Sequence, residues 1–206
     1  NPYVGGMLTM AAACRIVSVV GATPIALTDC LNFGNPEKSE IYYQLEEAVK
    51  GMSAASGAFN SPVVSGNVSL YNEAQGEGIY PTPVVGALGL LENVAMYTTV
   101  GFKKTGDVVV LIGDDLSQVK LENLAGSEYL ELVPGLVAGN PSLDIDAEVM
   151  VQNVCRRVIQ EGLVSSAHDC SDGGLAVALA ESCIQGGIGF SGKFMASDRW
   201  DVALFG

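Results

Sequence analysis

Positive charge is scarce in this chain. Ten Lys and Arg stand against 23 Asp and Glu, a net charge of −13, which argues against a nucleic-acid backbone or an anionic membrane as the main partner. An anionic ligand would need a divalent cation or oriented backbone N–H groups for neutralisation. Long apolar runs are also missing. The run from Ile16 to Thr28 is broken by Gly21 and Pro24, and the uncharged stretch 51–72 is full of Ser, Asn and Gly, so neither suits lipid. The N-terminal residues have no basic n-region and no cleavage site, so they are not expected to form a signal peptide. There is one histidine, His168, and the five cysteines have no CxxC spacing. That fits neither a zinc site nor a disulfide framework, so the expectation is reduced thiols and a cytoplasmic protein. No GxxxxGK[ST] occurs, which removes a P-loop.

What is present is apolar and glycine-rich. Of the 206 residues, 49% are hydrophobic and only 16% charged, enough buried surface to offset chain entropy in one large or two small domains. Met7–Val20 reads as a buried helix stopped by Gly21. Residues 24–29 read as a short strand, followed by a loop from Asn32. Ile41, Leu45, Ala48 and Met52 recur at helical spacing, predicting an amphipathic helix from Ser39 to about Ser56. A second strand covers 62–65 and runs into a polar loop, 66–73. A third, wholly apolar strand spans 82–91. A boundary falls between Asn93 and Gly106. Beyond it the pattern predicts strands at 107–113, 163–169 and 188–194, and helices at 143–161 and 174–185. Strands alternate with helices, so the class is mixed α/β (α+β) in two units.

Candidate chemistry collects at strand ends. Asp29 can ligate Mg²⁺ or accept bonds from a nucleotide; Gly66 lets backbone approach a phosphate. Asn67 offers a neutral oxygen ligand and Ser69 a hydroxyl for an anionic group. The plainer alternatives are that Asp29 begins a turn with Asn32 and that Gly66 is a bulge. Asp169 and Asp172 precede a Gly-Gly turn and a helix, which suits a metal-phosphate; equally, Asp172 caps that helix. His168 is expected to be a hydrogen-bonded structural residue. The GxGxxG string 187–192 lacks the strand before and the helix after that a dinucleotide fingerprint needs.

Four strings carry a resemblance: ALTDCLNFGNPEKSEI (26–41), SPVVSGNVSLYNE (61–73), YPTPVVGALGLLE (80–92) and SAHDCSDGGLAVALAE (166–181). They resemble the phosphoribosylformylglycinamidine synthase family of the aminoimidazole-ribonucleotide-synthetase superfamily. The resemblance implies the second of two tandem halves of an ATP-dependent synthetase. It divides the chain into an N-terminal domain over 1–98, without its first strands, and a C-terminal αβ sandwich over 99–206, cut short at its end. It implies ATP and Mg²⁺ as cofactors, with Asp29 and Gly66 on ATP, Asn67 on Mg²⁺ and Ser69 on formylglycinamide ribonucleotide.

The family's reacting histidine lies in the other half and is not transferred to His168, so no catalytic residue is expected here and the fragment alone is expected to be inactive. The implied partners are the first half of the synthetase, a glutaminase subunit, a small accessory subunit and the ribonucleotide, with no nucleic acid and no membrane; a homodimer of the fragment is a further expectation. Asp169 and Ser171 match part of an auxiliary nucleotide site found in some relatives. The metal positions of that site fall on Ala12 and Ile16, which cannot bind one. The alternative function is a non-catalytic nucleotide-binding scaffold, or another ATP-using enzyme of the superfamily.

Overall fold

A computed structural model describes residues 1–113, 120–193 and 199–206. It divides into two units. The first holds residues 1–18, 22–92 and 143–149; the second holds 19–21, 93–142 and 150–206.

The first unit opens with helix α1 (Pro2–Ser18). It starts five residues before the apolar stretch, because Pro2 is well placed in a first helical turn, where its missing N–H costs nothing. Gly21 follows at φ 92°, a conformation glycine adopts without strain. Strand β1 (Thr23–Asn32) leads through a short loop to α2 (Ser39–Ala58), then to β2 (Val63–Ser69). A two-residue hairpin, β3 (Glu73–Ala74) and β4 (Glu77–Gly78), precedes β5 (Thr82–Leu90). The sheet order is β2-β1-β5, with β1–β2 parallel and β1–β5 antiparallel.

The core lies on one side of this sheet. Met7, Met10, Ala13 and Cys14 of α1, Met52 and Ala55 of α2 and Leu27 of β1 form one buried cluster, with Val85 and Ala87 of β5 packed against it. The helices cross closely because two glycines leave room. A Cβ on Gly51 would stand 1.9 Å from the Tyr3 carbonyl oxygen, and one on Gly6 2.3 Å from that of Ala48. The other side of the sheet is open. Strand β5 alternates: Val84, Leu88 and Leu90 are more than half exposed, while the residues between them turn to the helices. The wholly apolar strand of the sequence is therefore buried on one face only.

Two expectations change here. Residues 66–69, read as a loop, continue β2 in register with β1. Glycine and asparagine are poor strand formers, but the ladder to β1 overrides that preference. Asp29 lies inside β1, not in a turn, and Gly66 pairs regularly with it, so it is no bulge.

The second unit is helical among the described residues. It contains a 3-10 turn (Leu121–Leu124), α3 (Glu128–Leu132), most of α4 (Ile145–Gln160), α5 (Gly174–Gly186) and α6 (Trp200–Phe205). Ser127 caps α3 by accepting the Leu130 N–H. Tyr129 stacks on Phe205 with ring centroids 4.8 Å apart. The strands expected at 107–113, 163–169 and 188–193 are not formed, so the αβ sandwich expected of this unit has no sheet among the described residues. Phe194 lies outside the described residues. A strand exists only where a neighbour completes its ladder. Residues 108–112, all Val, Leu or Ile, stay partly or largely exposed instead.

Candidate functional site

The parallel ladder sets the geometry of the candidate residues. Its register pairs Thr28 with Ser65, Asp29 with Gly66, Cys30 with Asn67, and Asn32 with Ser69. Side chains alternate across a strand, so neighbours in sequence part company.

Asp29 turns toward α2. It lines an open cleft of about 340 Å³ with Leu31, Val49, Met52, Ser53, Ser56, Pro62 and Val63. Gly66 lies directly beside it: a Cβ there would come within 2.0 Å of Asp29 Oδ1. The absence of a side chain at 66 is what lets the carboxylate occupy its place.

Asn67 and Ser69 belong to the open face. Asn67 Nδ2 donates to Cys30 Sγ at 3.4 Å, and Asn32 Nδ2 donates to the same sulfur at 3.6 Å. Ser65 Oγ donates to Thr28 Oγ1 at 2.8 Å. Asp29 with Gly66 and Asn67 with Ser69 thus sit on opposite faces of the β1–β2 ladder. Thr28, Cys30 and Ser65 border Asn67 without having been marked in the sequence; only the register makes them neighbours.

A Mg²⁺ ion draws on carboxylates and substrate phosphates in octahedral geometry. Around Asn67 the face offers hydroxyls, a thiol and an amide, and the Asp29 carboxylate is on the other side. Among the described residues no group of three or more His, Cys, Asp or Glu could hold a metal. This face does not make a Mg²⁺ site by itself; Asn67 could supply one neutral oxygen to an ion that brings its anionic ligands with it.

In the second unit, His168 bridges two carboxylates. Its Nδ1 is 3.2 Å from Asp169 Oδ1 and its Nε2 2.8 Å from Glu181 Oε2 on α5. Ser171 Oγ donates to Asp169 Oδ2. The serine is bonded to the aspartate and not to the histidine, so this is no nucleophilic triad. Burial pushes the Asp169 pKa up, but hydrogen bonds from Ser171, from its own N–H and from His168 outweigh it and hold the carboxyl below its ordinary range. Burial pushes the nearby Cys155 thiol up, with Asp169 adding to that and Arg156 opposing it, so Cys155 stays a protonated thiol at neutral pH. None of the five cysteines is in a disulfide.

Asp172 is not the cap of α5. The N-cap is Gly173 at φ 80°, with no side-chain bond, and Gly187 at φ 63° closes the helix. That places the first glycine of the GxGxxG string at a helix C-terminus, the wrong end for a pyrophosphate.

The Asp169 arrangement carries a pH signature. A carboxylate whose folded pKa is depressed adds stability above its unfolded value, near 3.8, and loses it as pH falls through the folded value. Asp169→Asn is expected to lower the melting temperature at pH 5–7, and the gap from wild type is expected to close below that value. A pH-independent gap in thermal melts would assign the loss to packing.

A sheet shielded by two helices on one side and polar along its edge on the other, followed by a second unit, defines a two-unit mixed α/β protein. No helix among the described residues is long and apolar enough to cross a membrane. The AIR synthase related protein N-terminal domain matches residues 1–91 and the corresponding C-terminal domain matches 104–201. The chain belongs to this family.

Among its relatives, the phosphoribosylformylglycinamidine synthase subunit PurL of Caldanaerobacter subterraneus subsp. tengcongensis is 47% identical over all of this chain and 27% of its own length. That of Anaeromyxobacter dehalogenans (strain 2CP-C) is 54% identical over 89% of this chain and 24% of the relative. A solved structure of T. maritima PurL complexed with FGAR superposes over 100% of this chain and 33% of its own, with a TM-score of 0.71 at 19% identity, a likeness of fold. The chain spans about a quarter of the length of the curated relatives it matches.

Proposed function

We propose that this chain is part of an ATP-dependent ligase of purine biosynthesis that converts formylglycinamide ribonucleotide to the amidine. The observation that carries the reading is the 47% identity to a PurL subunit along the full 206 residues of the chain. In the reaction, the glycinamide carbonyl oxygen of the ribonucleotide takes the γ-phosphoryl group of ATP, giving an iminophosphate and ADP. Ammonia then attacks that carbon and phosphate leaves. Such chemistry asks the protein to hold two anionic substrates in line and to stabilise charge at the transferring group.

In this reading Asp29 and Gly66 meet ATP, Asn67 gives one amide oxygen to Mg²⁺, and Ser69 meets the ribonucleotide. Because these pairs occupy opposite faces of the β1–β2 ladder, a ligand that meets both does so around edge strand β2, toward the C-terminal ends of β1 and β2, where open α/β sheets place ligands. Asp169 and Ser171, bonded to each other, hold the turn before α5 and are assigned no second nucleotide. We read residues 1–98 and 99–206 as the two synthetase-type domains. The partners are a first synthetase half, a glutaminase that supplies ammonia and a small accessory subunit, in the cytoplasm.

The test is turnover. A protein of the relatives' full length carrying these 206 residues is expected to release ADP and form amidine from ATP, ammonia and the ribonucleotide; no ribonucleotide-dependent ADP release would sink the reading. The 206-residue chain alone is expected to show no such turnover. Activity from it would mean that the whole reacting centre lies within these residues.

A further inference from the structure

The loop after β2 fixes what the Ser69 hydroxyl can do. Asn72 Nδ2 donates to the Phe33 carbonyl at 3.1 Å and to the Ser69 carbonyl at 2.9 Å. Only an amide nitrogen can donate to carbonyls, so these two bonds settle which side of Asn72 is Oδ1. That Oδ1 lies 3.2 Å from Ser69 Oγ and receives its hydrogen. The backbone locks the arrangement from below: Asn72 N–H donates to the Phe33 carbonyl at 3.1 Å, Tyr71 N–H to Gly34 at 3.0 Å, and Phe33 N–H to Ser69 at 3.0 Å. A hydroxyl has one hydrogen and two lone pairs. With the hydrogen spent on Asn72, what remains toward a ligand is acceptor capacity.

We infer that Asn72 is a positioning residue that makes Ser69 a hydrogen-bond acceptor, so that Ser69 reads a donor group of the ribonucleotide, an amide N–H or a sugar O–H, and not its phosphate. This rests on the proposed function, which supplies the ribonucleotide as ligand. It departs from the simpler expectation that the hydroxyl donates to an anion. Phosphate oxygens only accept when ionised, and a hydroxyl whose hydrogen is held elsewhere has nothing to give them.

The experiment uses protein of the relatives' full length, with formylglycinamide ribonucleotide as ligand and inorganic phosphate as competitor. Ser69→Ala is expected to raise the dissociation constant of the ribonucleotide about three- to tenfold, the range of one hydrogen bond, and to leave the inhibition constant of inorganic phosphate within about twofold. Equal losses for both would place the hydroxyl on the phosphate and overturn the inference. Asn72→Ala is expected to weaken the ribonucleotide severalfold when Ser69 is present and hardly at all in the Ser69→Ala background, because coupled residues are not additive. Its cost in melting temperature should be the same in both backgrounds. An affinity loss independent of residue 69 would make Asn72 merely structural. Should Asn72→Ala fail to fold, the phosphate comparison decides alone, since it needs only Ser69→Ala. If the wild-type protein binds no ribonucleotide, the proposed function falls and the inference falls with it; if it binds and the losses are equal or additive, the inference alone is overturned.

Discussion

Replacing Gly66 by alanine is expected to raise the KM for ATP at least about tenfold in a full-length protein, while lowering the melting temperature by only a few degrees. The added Cβ would stand 2.0 Å from Asp29 Oδ1 and 3.0 Å from the Asp29 carbonyl oxygen. The first of these contacts is the free end of a side chain, so the carboxylate can swing into the cleft beside α2 at modest cost. What is lost is its position. A hydrogen bond to a charged group contributes roughly 1.5–3 kcal/mol, or about ten- to a hundredfold in a binding constant. Asp29→Ala is expected to give a similar loss, and the double variant little more, because both changes remove one contact. An unchanged KM with a large fall in melting temperature would make Gly66 a packing residue. Losses that multiply in the double variant would separate the two residues' roles.

Gly51→Ala is expected to destabilise the first unit by about 3 kcal/mol. Its Cβ would sit 1.9 Å from the Tyr3 carbonyl oxygen and 2.8 Å from the carbonyl carbon. Those atoms are helix backbone, so relief requires α1 to move off α2 and to loosen the contacts of Met7 and Met10 with Met52 and Ala55. At about 4–8 °C per kcal/mol for a unit of this size, the melting temperature should fall by more than about 10 °C. Gly57 is the control on the same helix. A Cβ there meets nothing within 4 Å, so Gly57→Ala should gain up to about 1 kcal/mol from helix propensity. Parallel thermal or urea melts of the two variants distinguish tight crossing from propensity. Equal, small effects would refute a close helix contact at Gly51.

Much of the first unit is legible from residue order because its signals are local. The 3.6-residue spacing of Ile41, Leu45, Ala48 and Met52 marks α2, and Gly21 marks the stop after α1. A run of β-branched residues is a weaker signal. It gave a strand correctly at 82–90, where β1 supplies a ladder. The same kind of run at 107–113 forms none, since no neighbour among the described residues completes its hydrogen bonds. Conversely, the Gly-Asn composition of 66–67 argued for a loop, and pairing with β1 overrode it.

The sequence by itself determined the mixed α/β class, the family strings, the acidic surface and the residue types available for phosphate chemistry, because composition and short-range periodicity are properties of order along the chain. It also separated the GxGxxG string from a true fingerprint, since a helix precedes it. Only the tertiary structure decided sidedness. Asp29 and Asn67 look like members of one cluster on paper, but a side chain's face is set by its strand's register against a neighbour 37 residues away, and one step of register reverses it. The same holds for the hydroxyl of Ser69, whose hydrogen is directed by Asn72 only because the loop after β2 folds back onto Phe33.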